Sequence, residues 1–184
     1  GSTAANTIHS LALEDPQHPP LYFLMARFWM QQFGSSLTAS RSLPALLSLL
    51  SLPLMYALAK ELFASNLTAT LATALLALSP FDILFAQTAR QYSLLTVTVI
   101  GSSWLLLRAM RLQSWQNWVL YALSIALGLY THPFFSLTLI GQAAFVICYW
   151  FLDTKRELSG HVINSQFFLA VTGALILYIP WIYV

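Results

Sequence analysis

Two carboxylates and an imidazole stand close together in EDPQHPPLYF, which covers residues 14–23. Glu14, Asp15 and His18 are of the types that move protons in catalysis or hold a divalent metal. Three prolines in the same stretch remove backbone donors and favour extended conformations, so we expect a rigid, non-helical approach to a helix. Such an approach could fix the three side chains in place for catalysis. Solvated loop residues without a catalytic role are the alternative interpretation.

A second polar group lies in SPFDILFAQTARQY, residues 79–92. Arg90 carries a planar fork of donors that matches a phosphate, and it precedes a predicted helix whose N-terminus favours an anion. Gln87 could donate a hydrogen bond to the same ligand, and Tyr92 could line the site. Asp82 is a carboxylate within an apolar segment, which makes it a functional candidate. The alternative for Arg90 is a side chain that contacts lipid headgroups. The alternatives for Asp82 are a side chain that faces the headgroups or one that caps backbone donors.

A third candidate group is YTHPF, residues 130–134, where a proline interrupts the apolar sequence directly after His132. Tyr130 and His132 are candidates for lining an acceptor site. Because imidazole and carboxylate are ordinary metal ligands, His132 could also hold a divalent metal together with Glu14 and Asp15. These ligands share no metal-motif spacing, so a hydrogen-bonded histidine at the membrane surface is the alternative.

The chain around these residues is strongly apolar. Of its 184 residues, 58% are hydrophobic and 8% are charged, whereas a soluble domain has about 25% charged residues. This composition predicts an integral membrane protein. The net charge of +2 is small and dispersed, which argues against a nucleic-acid partner.

Six apolar segments are candidates for crossing a hydrocarbon core about 30 Å thick, some of them with polar ends at the interface. They lie at residues 43–62, 69–85, 92–107, 115–131, 134–151 and 167–184. The short connections between them make neighbouring helices antiparallel. The expected fold is therefore an all-α, polytopic membrane protein with a single domain.

The distribution of basic residues predicts the orientation of this bundle, because cytoplasmic loops carry an excess of lysine and arginine. Arg41 and Arg90 fall on one side. The other side, which we expect in the cytoplasm, collects Lys60, Arg108, Arg111, Lys155 and Arg156. The loops that contain Arg90 and His132 are therefore expected on the outer face.

Segment 21–34 is short for a span, since about 14 residues make roughly 21 Å of helix. We expect it to lie flat at the outer surface as a juxtamembrane helix. Residues 1–20 then form the end of a first outer-face loop, and residues 43–184 form the transmembrane bundle of a fragment incomplete at both ends. The alternative is that 21–34 spans, which would place residues 14–20 on the cytoplasmic side.

Four stretches in order resemble the N-terminal transmembrane half of glycosyltransferase family 39. They are EDPQHPPLYFL, RSLPALLSLLSLPLMYALAKELF, ALLALSPFDILFAQTARQYSLL and LYALSIALGLYTHPF. These polytopic GT-C enzymes include protein O-mannosyltransferases and are similar to the bacterial aminoarabinose transferase. The chain departs from the family at Thr88, where an acidic residue is usual, and this weakens a metal assignment in that loop.

The resemblance implies a hexosyl- or pentosyltransferase with a polyprenyl-phosphate sugar as donor and a lipid, glycan or protein as acceptor. It implies a site on the outer or lumenal face, and we expect a bacterial inner membrane rather than the endoplasmic reticulum. The family's main catalytic carboxylate is expected before residue 14 and outside this sequence. Glu14 or Asp15 is then a second carboxylate, which binds a divalent metal or the acceptor.

Two other classes remain open. A transporter or flippase for lipid-linked saccharides would also use polar residues at helix breaks, and Pro53 and Pro80 are candidate breaks. A noncatalytic membrane subunit with the same fold would explain the substitution at Thr88.

Single cysteines introduced beside His18 and beside His132 are predicted to react with an impermeant thiol reagent from the same side of the membrane. The reason is that both loops are placed on the outer face. The measurement is labelling of the full-length protein in oriented vesicles after replacement of Cys148 by serine. Labelling from opposite sides would exclude a shared site.

Overall fold

A computed structural model describes residues 19–152 and 159–182 of the chain. Within these residues the secondary structure is helical and contains no strand, which confirms the all-α polytopic fold. The helices are α1 (Leu21–Phe33), α2 (Leu37–Phe63), α3 (Asn66–Ala77), α4 (Pro80–Ala86), α5 (Tyr92–Leu112), α6 (Trp115–Thr131), α7 (Phe135–Leu152) and α8 (Ser159–Ile182).

Helix boundaries follow polar capping residues and backbone conformation. The hydroxyl oxygens of Ser36, Ser65 and Ser114 each accept a backbone N–H from the first turn of the helix that follows. Helices α2 and α5 are followed by left-handed residues, Ala64 and Gln113, with φ of 52° and 48°. Because these signals lie outside the apolar stretches, both helices extend beyond the segments that hydrophobicity predicted.

The predicted span at 69–85 is not one straight helix, because α3 and α4 are separated by a break with a bend of 58°. Pro80 has no backbone N–H to continue the helical ladder, and it occupies the first position of α4, where none is needed. The N–H of Ser79 instead donates to the carbonyl of Leu76 over 3.0 Å. Pro53 causes no such break, since it lies inside α2.

Three of the described helices, α2, α5 and α7, are each long and apolar enough to cross a membrane, and the bent pair α3 and α4 adds a fourth span if it is counted as one. The apolar part of α8, Ser165–Trp181, is shorter. Helix α6 has 17 residues, about 26 Å at 1.5 Å per residue. The spans at 115–131 and 167–184 therefore stay predictions.

The bundle has two buried clusters. The larger joins α5, α6, α7 and α8 around Tyr121, Ile125 and Phe135, all fully buried. The smaller joins α1 to the first half of α2 and the start of α5 through Tyr22, Leu43, Leu47 and Leu94. Helix α1, which lies in the predicted segment 21–34, is thus packed on one end of the bundle.

The two ends of the bundle differ in charge. The basic end, where α2 and α5 finish, contains Lys60, Arg108 and Arg111, and the Arg111 guanidinium binds both oxygens of Glu61. The opposite end contains loop 87–91 and the junction between α6 and α7. We call it the Arg90 end.

A polar network crosses the larger cluster. Gln142 of α7 accepts a hydrogen bond from the Tyr121 hydroxyl over 2.8 Å. Its amide nitrogen donates to the hydroxyls of Ser102 and Ser103 over 3.0 and 3.2 Å. Since Gln142 is only 6% exposed, this network ties α5, α6 and α7 together where lipid offers no alternative partner.

Replacing Gln142 by leucine is predicted to destabilise the bundle by about 0.5–2 kcal/mol, because it leaves the buried Tyr121 hydroxyl without its partner. Adding Tyr121→Phe removes that hydroxyl, so the double variant should be less destabilised than Gln142→Leu alone. The measurement is thermal unfolding of the detergent-solubilised protein. A double variant as unstable as the sum of the two single variants would contradict the network's role.

Candidate functional site

The predicted phosphate ligand Arg90 lies in the exposed connection between α4 and α5. Its backbone N–H donates to the carbonyl of Thr88 over 2.7 Å, which makes the connection a tight turn. Gln87, just after α4, is exposed as well, whereas Gln91 is buried and its carbonyl accepts a bond from the second turn of α5. In the part of the chain that the structure describes, no hydrogen bond or ion pair involves the Arg90 side chain. The guanidinium is therefore available to an anion.

A row of aromatic rings lies beside this loop and joins two of the predicted groups. Phe85 stacks on Tyr92 with ring centroids 4.7 Å apart. Tyr92 is 6.3 Å from the ring of His132, which is 4.8 Å from Phe134. The structure thus brings Tyr92 and His132 together, although they are 40 positions apart in the sequence.

His132 is held by the backbone at the end of α6. Its N–H donates to the carbonyl of Gly128 over 3.1 Å, and its Nδ1 accepts the N–H of Phe134 over 3.1 Å. Because Nδ1 acts as the acceptor, the neutral ring carries its proton on Nε2. The imidazole is therefore fixed in orientation and in tautomer.

Asp82 is buried inside the bundle instead of facing headgroups, with 7% of its surface exposed. Its Oδ2 accepts a hydrogen bond from the hydroxyl of Ser48 on α2 over 2.5 Å. No residue in the described part of the chain pairs with Oδ1. Neither oxygen accepts a backbone N–H of α4 among the described residues. Asp82 is therefore a half-satisfied carboxylate just below the Arg90 loop.

Tyr130, also predicted from sequence, contacts α8. Its hydroxyl donates to the carbonyl of Leu177 over 2.9 Å, and its ring meets that of Tyr178 edge to face at 5.2 Å. Through these contacts Tyr130 packs α6 against α8.

The predicted acceptor-side residues Glu14, Asp15 and His18 lie outside the described residues. The chain that follows them is firmly placed, since Pro19 is fully buried and Tyr22 is 2% exposed. Burial raises the pKa of Tyr22 to about 12, so its hydroxyl stays neutral at physiological pH. That hydroxyl has no partner among the described residues.

Among the residues that the structure describes, no three histidine, cysteine, aspartate or glutamate side chains are grouped as metal ligands would be. The proposed metal ligands Glu14 and Asp15 lie outside those residues, so the divalent metal stays a prediction.

Sequence reasoning did not identify Ser48 or Phe85. Ser48 is one of several serines in an apolar helix, and nothing local to it signals a partner on α4. Phe85 could have been suspected because it falls one helical turn after Asp82 and within a few residues of Arg90.

An apolar, all-α bundle with helices long enough to cross a membrane defines a polytopic membrane protein. The candidate site residues Arg90, Tyr92 and His132 lie at one end of it. Residues 17–184 match the family model for dolichyl-phosphate-mannose-protein mannosyltransferase. The chain belongs to this family, which makes it a membrane glycosyltransferase of the mannosyltransferase-like kind. No curated protein and no solved structure matches the chain significantly.

Replacing Gly128 by alanine is predicted to disturb the junction that holds His132. A Cβ there would come within 2.4 Å of the Phe135 ring, which is fully buried. Such overpacking costs about 1–3 kcal/mol, and it would displace the turn that positions His132. The measurement is thermal unfolding of the variant, with Gly141→Ala as control.

Gly141 is the matched control because it is also helical and a Cβ there meets nothing within 4 Å. Its replacement should be neutral or slightly stabilising, since alanine favours helix by up to about 1 kcal/mol over glycine. Equal stability of the two variants would contradict the prediction, because it would show that the Phe135 ring moves aside without a cost in stability.

Proposed function

We propose that this chain forms the transmembrane part of a glycosyltransferase that uses a polyprenyl-phosphate sugar as donor. The acceptor is a lipid, glycan or protein, and transfer takes place at the outer or lumenal face. The observation that carries this proposal is the exposed Arg90 guanidinium beside the aromatic row, in a family of lipid-phosphate sugar transferases.

Sugar transfer from a prenyl phosphate is favoured by a cation beside the phosphate leaving group. During transfer the bond between the anomeric carbon and the phosphate oxygen breaks, and the prenyl phosphate leaves with the bonding electrons. Arg90 would donate to its oxygens as negative charge develops, which lowers the barrier. Gln87, exposed in the same loop, would add a further donor, while the ring of Tyr92 lines the side towards His132.

The acceptor side needs a base, because the acceptor hydroxyl must lose its proton as its oxygen bonds to the anomeric carbon. Glu14 or Asp15 is assigned to the same side as a second carboxylate that binds the acceptor or a divalent metal, with His18 next to it. A divalent metal at Glu14 or Asp15, with His132 as a further ligand, would hold the acceptor or the phosphate by Lewis-acid attraction.

A groove in the bundle offers a place for the apolar part of the donor. It has a volume of about 410 Å³ and lies between α2, α5 and α7, with Leu58, Leu106 and Phe145 in its walls. Leu106 lies 14 residues after Tyr92 on α5, which corresponds to a distance of roughly 21 Å along the helix axis. A long prenyl chain with its phosphate at Arg90 would run down the bundle towards this groove.

One observation favours a transporter of lipid-linked saccharides as the second candidate. Transporters place polar groups at interrupted helices, and here the break between α3 and α4 adjoins the buried Asp82. The two functions differ in bond cleavage, since transport releases no free prenyl phosphate.

Arg90→Ala is predicted to lower the release of polyprenyl phosphate at least about tenfold, a loss of about 1.4 kcal/mol in transition-state stabilisation. The measurement is turnover of a panel of polyprenyl-phosphate sugars by the full-length protein in lipid. Arg41→Ala is the control, because Arg41 is another exposed arginine, near the start of α2, and its loss should leave turnover nearly unchanged.

Two results would count against the proposal. Equal losses in both arginine variants would mean that Arg90 acts only through surface charge. Absence of turnover with every donor, in protein shown to be folded, would favour transport or a noncatalytic subunit.

A further inference from the structure

Helix α4 buries a single side chain in the bundle. It has seven residues, and Asp82 is the only one among them that is buried. Phe81, Ile83 and Leu84 are exposed. The 58° break frees α4 from the axis of α3. The direction of α4 therefore depends on its contacts with the rest of the bundle, which are the buried Asp82 and the stacking of Phe85 on Tyr92.

Asp82 is held by α2. The Ser48 hydroxyl donates to Oδ2 over 2.5 Å, a length typical of a hydrogen bond to a carboxylate. Ser48 itself is 8% exposed and sits in a long, continuous helix. The bond therefore joins the one buried residue of a short helix to a long, continuous helix.

Packing alone does not account for a carboxylate at this place. Burying a carboxylate with one oxygen unpaired is costly, and an apolar side chain would fill the same space without that cost. What an apolar side chain lacks is a directional bond to Ser48. The loop that carries Gln87 and Arg90 begins directly where α4 ends, at Ala86.

We propose that Asp82 is a positioning residue: through Ser48 it sets the direction of α4 and so holds Arg90 where it meets the donor phosphate. This inference rests on the proposed function. It assigns no contact between Asp82 and the substrate, and it predicts that loss of the Asp82–Ser48 bond acts through Arg90.

The test is a double-mutant cycle on the full-length protein in lipid, with turnover of a polyprenyl-phosphate sugar as the readout. Asp82→Ala and Ser48→Ala are each expected to lower kcat/KM about tenfold, mainly through a higher KM for the donor. In an Arg90→Ala background, the same changes should alter kcat/KM by less than about twofold, since they act through the residue already removed.

Two further variants separate positioning from other roles. Asp82→Asn keeps an oxygen that accepts from Ser48, so it should retain most of the activity. Ser51→Ala is the matched serine control: Ser51 is fully buried one turn along α2, and its hydroxyl bonds only the carbonyl of Ser48. Its loss should leave the KM for the donor unchanged.

The outcomes are distinguishable. If Arg90→Ala has no effect, the proposed function fails first. A second outcome is that Arg90→Ala lowers activity and that Asp82→Ala, added to Arg90→Ala, lowers it by the same factor as in the wild-type protein. That result would overturn the inference. Loss of activity in Asp82→Asn equal to that in Asp82→Ala would also overturn it, because a carboxylate charge would then be needed directly. If thermal unfolding shows that Asp82→Ala does not fold, the double-mutant cycle is measured with Ser48→Ala and Arg90→Ala instead.

Discussion

Hydrogen bonding inside an apolar helix bundle is the constraint on which the rest of this structure depends. Hydrocarbon offers no partner to a polar group, so each one that enters must be satisfied by the protein. Gln142 meets this demand with both ends of its amide, through Tyr121 and the serines of α5. Asp82 meets it with only one oxygen. The difference separates the middle of the bundle from its Arg90 end.

The same constraint explains why polar chemistry gathers where a helix is interrupted. A continuous helix satisfies its own backbone and presents only side chains to its neighbours. The break before Pro80 ends one helix and starts a short second one, whose end opens into an exposed turn. Gln87 and Arg90 occupy that turn, and the junction after Thr131 places His132 beside it. Two helix interruptions that are distant in the sequence thus lie next to each other at the Arg90 end.

Sequence reasoning predicted those features that depend on local pattern. Helices α1 and α6, at 21–33 and 115–131, match the predicted apolar segments 21–34 and 115–131 to within one residue. The break within 69–85 was expected only as a candidate break at Pro80, because average hydrophobicity carries no information on axis direction. Ser79 followed by Pro80 is the local signal for a new helix start. The site is predictable only in part. Tyr92 and His132 were placed on one face by counting spans, whereas the contact between Ser48 and Asp82, 34 residues apart, depends on how α2 and α4 pack.

The distribution of buried polar atoms without partners bears on where a ligand would bind. Among the described residues, the Tyr22 hydroxyl, the Ser93 hydroxyl and Asp82 Oδ1 are in this state. They lie on α1, the start of α5 and α4, the elements that converge towards the Arg90 end. Each such atom costs about 1–3 kcal/mol, a cost that a scaffold would avoid with apolar residues.

The other two buried polar atoms without partners lie elsewhere in the bundle. Trp118 Nε1 and Gln166 Oε1 belong to residues that line one groove of about 430 Å³ between α6 and α8. Asp82 differs from them in its place in the fold. It is the one buried residue of α4, Ser48 donates to its Oδ2, and α4 leads directly into the loop with Arg90. The hydrogen bond of Asp82 is therefore the one among these groups that bears on the position of that loop.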